Sequence, residues 1–73
     1  MYISFDYFDD ARERGRDWAE SLPDTLQAVI SEYVIIFAIT ARGVWYSEAG
    51  HEWEFGGSKT DMRAYLADLA ATL

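Results

Sequence analysis

The chain has 73 residues, with 13 acidic side chains against six basic ones and a formal net charge of -7. It has no cysteine, so disulfides and thiolate metal sites are excluded. The sparse positive charge argues against direct binding to nucleic acid or to an anionic membrane surface, because both require clustered Lys and Arg.

The length fits one domain over residues 1–73. At 8.4 kDa, folding buries about 60% of the extended chain's surface, which leaves little margin over the entropy of ordering. Three Trp, five Tyr and four Phe offset this, because each ring can bury about 150–250 Å². Some of those rings are also candidates to bury against another chain.

Tyr2 to Phe5 alternates weakly and is compatible with a short first strand. Phe8 to Glu20 reads as a helix, with Phe8, Ala11, Gly15, Trp18, Ala19 and Leu22 recurring every three or four residues. Gly15 costs that helix about 1 kcal/mol relative to Ala; a close crossing by another element would explain its presence, and a tolerated surface glycine accounts for it equally well. Ser21 to Tyr33 reads as a second helix. Ser21 and Asp24 match a capping box, Pro23 falls in the first turn, and Leu22, Leu26, Val29, Ile30 and Tyr33 form the apolar stripe.

Tyr33 to Thr40 is the clearest strand, and its nearly continuous apolarity predicts cover on both faces. Ala41-Arg42-Gly43 makes a tight turn into a returning strand over Val44 to Ser47. Glu48-Ala49-Gly50 is a second turn. His51 to Phe55 is a third strand, with His51, Trp53 and Phe55 on one face and Glu52 and Glu54 on the other. Ser58 and Asp61 predict a capped final helix carrying Met62, Tyr65, Leu66, Leu69 and Leu73. The sum is an α+β domain of order (β)-α-α-β-β-β-α, with helices covering one face of a three- or four-stranded antiparallel sheet. The longest apolar run, Val34 to Ile39, is too short to cross a bilayer.

The acidic residues are unevenly placed. Residues 1–24 hold seven acids against three arginines. Asp6, Asp10, Glu13, Asp17 and Glu20 step by 4, 3, 4 and 3, which puts them on one helix face about 5 Å apart. Such a row repels itself, and it suits a surface that stands in for a row of nucleic-acid phosphates. The ordinary alternative is a solvated helix face, with Asp10–Arg14 and Arg16–Glu20 as i,i+4 pairs. Glu48, Glu52 and Glu54 extend the row if the sheet edge lies beside the helix. Trp45 and Tyr46 are adjacent in a strand and face opposite ways. One of them must meet solvent, a helix on the second face, or a partner.

Little else suggests chemistry. Glu48, His51, Glu52 and Glu54 are the best metal candidates, but they lack the helical HExxH spacing, and no metal or other cofactor is expected. There is no nucleophile elbow, no phosphate-binding glycine loop and no triad, so no enzyme is expected.

The reading that follows is a non-catalytic inhibitor that blocks a basic nucleic-acid-processing protein. Its contact residues are Asp6, Asp10, Glu13, Asp17, Glu20, Trp45, Tyr46, Glu48, Glu52 and Glu54. In size and charge the chain is similar to small acidic anti-restriction and anti-CRISPR proteins of phages, a likeness of type without shared motifs. The alternatives are an antitoxin- or immunity-like partner of another protein, or a homo-oligomeric module such as a dimer. A cytoplasmic setting is expected, that of the host cell if the protein is phage-encoded. The absence of cysteine and of a basic-then-apolar leader points there.

Overall fold

The computed structural model describes the backbone of residues 5–73 and side chains from Phe8 onward. Helix α1 (Phe5–Glu20) and helix α2 (Asp24–Tyr33) precede a three-stranded sheet of β1 (Ile35–Thr40), β2 (Gly43–Glu48) and β3 (Glu54–Phe55). Helix α3 (Lys59–Ala70) closes the chain. The strands are antiparallel in the order β1-β2-β3, which makes this an α+β fold. Phe5 already belongs to α1, while the rest of the expected first strand lies outside the described residues.

The register sorts the side chains into two sheets of contact. Phe37 pairs with Tyr46 and Ile39 with Val44, so these four share a face with Ile35 and Glu48. On that face Leu22, Leu26, Val29, Met62 and Leu66 complete the main core, so α2 and α3 both pack there. Ala38 pairs with Trp45 on the opposite face, where Phe8 and Ala11 form a smaller cluster with Trp45 and Trp53 against them.

The expectation that all helices cover one face is therefore corrected. Helix α1 crosses the open edge of β1, with Phe8 and Ala11 on one side of the sheet and Trp18 and Ala19 on the other. Gly15 sits at the crossing. A Cβ there would overlap the carbonyl carbon and oxygen of Phe37, with the Ala38 nitrogen 3.0 Å away. Only glycine lets the two backbones approach this closely. Trp18 completes the contact, edge-on to the Phe37 ring at 5.1 Å. The strand is covered on both faces only in part, since Ile36 is 42% exposed.

Three local expectations change. Ser21 does not cap α2. Its hydroxyl donates back to the Trp18 carbonyl, and α2 starts three residues later behind Pro23, with no side-chain cap. The Gln27 side chain bridges the gap by donating to the carbonyls of Glu20 and Leu22. Val34 is not in the strand. It ends α2 in the left-handed region (φ 52°), where its N–H reaches the carbonyls of Ile30 and Ser31. The third strand is two residues rather than five, because residues 51–53 follow an irregular path in which the Ser47 hydroxyl donates to the His51 carbonyl. The last helix forms as read, with the reciprocal Ser58–Asp61 capping box present and Met62 and Leu66 fully buried. Leu73, expected on its apolar stripe, lies past the helix end and is 64% exposed.

Candidate functional site

The outer surface of α1 follows from its inner one. Ala11, Gly15, Trp18 and Ala19 face the sheet, and at 3.6 residues per turn Asp10, Glu13, Asp17 and Glu20 fall on the opposite side of the helix. All four are exposed. Asp6 belongs to the same helix, with its side chain outside the described residues.

The helix's own arginines do not neutralise this ridge in the way the i,i+4 spacing implies. Arg14 turns to the flank and donates from both Nε and Nη2 to the Ile39 carbonyl. Arg16 pairs with Glu13 at 3.9 Å rather than with Glu20, and among the described residues this is the one salt bridge, with both side chains about two-thirds exposed. At that exposure the pair is worth little. Asp10, Asp17 and Glu20 thus have no ion-pair partner among the described residues.

Glu48, Glu52 and Glu54 do not continue the ridge. Glu54 lies on β3, the edge strand opposite the one α1 crosses, and pairs in register with Tyr46. The three glutamates line a separate depression of about 420 Å³ together with His51. The irregular path over residues 51–53 replaces the strict alternation that would have sent His51 and the glutamates to opposite faces. Among the described residues, no three acidic, His or Cys side chains come together as a metal-holding group.

Trp45 and Tyr46 both find cover within the chain. Trp45 packs beside the smaller cluster and meets the Phe55 ring edge-on at 5.3 Å. Tyr46 packs on the main core and lies 5.5 Å from the Tyr65 ring. The Tyr46 phenol is pushed up to about 12 by hydrogen bonding to Glu54, then by burial and by the charge of Glu54. Burial also raises Tyr65, with the Glu48 charge adding to it. Both phenols are therefore neutral at pH 7. Each ring remains half-exposed, and neither stands out from the surface as an unpacked anchor.

A feature that sequence reasoning missed lies beside the ridge. A groove of about 550 Å³ runs between α1, α2 and the start of β1. Ala19, Ile30, Ile35, Ile36 and Phe37 form its apolar floor. Asp9, Arg12, Glu13, Arg16 and Glu20 border it from α1, and Gln27 and Ser31 from α2. Its sequence signal was the even-numbered side of β1, where Ile36 sits on a sheet face that the first half of α1 and Trp53 cover only in part.

No family model, no curated protein and no solved structure matches this chain. No helix among the described residues is long and apolar enough to cross a membrane.

Proposed function

We propose that the protein is a non-catalytic inhibitor that docks the acidic ridge of α1 onto a basic nucleic-acid-processing protein, in the place where that protein holds phosphates. One observation carries the reading. Asp10, Asp17 and Glu20 stand on the outward side of α1 with no ion-pair partner among the described residues, while Arg14, four residues after Asp10, is held on the Ile39 carbonyl. Helix surfaces ordinarily offset such rows with i,i+4 cations, because like charges at this spacing destabilise the helix. A complementary row of Lys and Arg on a partner would remove that repulsion and speed encounter. Glu48, Glu52 and Glu54 form a second acidic area at the far edge of the sheet, and Trp45 and Tyr46 support the fold rather than anchor the partner.

The test is capture on immobilised protein from extracts of the native host, followed by elution with duplex DNA. The expected result is a retained DNA-binding protein that DNA displaces, and that the Asp10→Lys, Asp17→Lys, Glu20→Lys triple variant fails to retain while staying folded. A retained protein indifferent both to DNA and to the charge reversal would instead indicate an antitoxin- or immunity-like role.

A further inference from the structure

The groove between α1, α2 and β1 combines an apolar floor with a charged α1 border in which acids outnumber arginines by one. Its floor includes Ile36, 42% exposed, and half-buried Ile30 and Ala19. Its charged border on α1 is Asp9, Glu13 and Glu20 with Arg12 and Arg16, and the exposed Asp10 and Asp17 stand on the outward side of the same helix. Asp9 and Glu20 outnumber Arg12 once the Glu13–Arg16 pair is set aside, Arg14 is turned away to Ile39, and α2 has no basic residue. Arg16 is already engaged with Glu13. The groove is continuous with the ridge, because Glu13 and Glu20 belong to both.

We infer that this groove receives a large apolar side chain from a basic segment of the partner protein, whose flanking Lys or Arg residues reach the acids of α1. The inference rests on the reading of α1 as a docking ridge and deepens it. Asp10, Asp17 and Glu20 on the adjoining ridge select a cationic segment, and the floor selects an apolar residue within it. Phosphate mimicry by charge alone would need no such floor. Buried apolar contacts at the centre of a charged surface concentrate binding energy, while the surrounding charges set orientation and encounter rate.

Two capped heptapeptides serve as probes, three lysines on either side of a central leucine and the same peptide with serine at the centre. Binding is followed by amide chemical-shift titration. Burying the leucine side chain corresponds to roughly a tenfold gain or more over serine. The leucine peptide is expected to bind more tightly by about that factor and to shift the amides of Ile30 and Ile36. Raising salt should weaken both peptides and leave their ratio unchanged. Ile36→Ser, at an exposed position, and Ser31→Trp, which plugs the groove from α2, should each abolish the preference for leucine without weakening the serine peptide.

Equal affinities for the two peptides, or a preference that survives both variants, would overturn the inference while leaving the ridge intact. Failure of both peptides to bind would overturn the ridge reading itself. A sedimentation mass of two chains that reverts to one in Ile36→Ser would show that a second copy fills the groove, and would overturn it equally.

Discussion

The Arg14 guanidinium donates two hydrogen bonds to the carbonyl oxygen of Ile39, at 3.2 Å from Nε and 2.8 Å from Nη2. The residues lie 25 positions apart, so one side chain ties the flank of α1 to the outer edge of β1. It satisfies a backbone acceptor that an edge strand would otherwise present to solvent or to another chain. It also takes the arginine out of reach of Asp10, so the same contact that fastens the helix leaves the ridge uncompensated.

Loss of that contact is measurable. Arg14→Gln should lower stability by about 1 kcal/mol, the net worth of such a bond at an exposed position. In a domain of this size that is a fall in Tm of about 4–8 °C by calorimetry. Arg14→Lys, which keeps one charged donor, should lose less.

Gly15→Ala sets two effects against each other. Helix propensity alone favours Ala by about 1 kcal/mol. The new Cβ, however, would meet the Phe37 carbonyl, which is backbone held in the β1–β2 ladder and cannot swing aside. Overpacking of this kind costs about 1–3 kcal/mol or more. A net loss of about 2 kcal/mol is expected in urea unfolding. A stabilised Gly15→Ala variant would show that α1 does not lie against β1 at that point.

Val34→Gly should do the opposite. Val34 is 62% exposed and holds a left-handed conformation that a β-branched residue adopts at a cost of about 1–2 kcal/mol. Glycine carries no such penalty and loses little packing here, although its greater freedom when unfolded takes back part of the gain. A rise in stability of about 1 kcal/mol is expected from the urea midpoint. Ala49, with φ 53° before Gly50 at φ 79°, offers a parallel case. Ala49→Asn would create the Asn-Gly pair that such hairpin turns favour.

The alkaline limb of stability should report on Tyr46. Its phenol ionises at about 12 in the folded protein against 10.0 when unexposed to these neighbours, so the native state holds the proton more tightly. This contribution is fully present below pH 10 and is lost as pH rises from 10 towards 12. Tyr46→Phe should therefore flatten the fall in urea midpoint across that window. Absorbance of the ionised phenols should show the late-titrating tyrosine disappear in the same variant.

What the sequence revealed, and what it hid, divide by the range of the interactions involved. The closing helix was legible because Ser58 and Asp61 cap it locally and its apolar stripe has a clear period. The β1–β2 hairpin was legible from a compact turn between β-branched runs. Gly15 was compatible with a close approach or with a tolerated surface position, and only the structure sets it against Phe37. The same spacing rules misplaced the start of α2, since Ser21 preferred the preceding carbonyl of Trp18 to a new cap. They also overextended the third strand, which depends on cross-strand partners no local window contains.

At the candidate site, the helical spacing was enough to put Asp10, Glu13, Asp17 and Glu20 on one exposed side of α1. The fate of Arg14 depended on a strand 25 residues away, and the groove on three elements meeting. Neither is a property of any one segment.

The closure of the β1 edge has a consequence for the protein at high concentration. Gly15 brings α1 onto the strand, Arg14 occupies Ile39, and Ile35 and Phe37 are each only 3% exposed. At the other edge, β3 is two residues long. Among the described residues, each rim of the sheet is thus shortened or covered, and a covered or short edge is a poor template for strand pairing between copies of the chain.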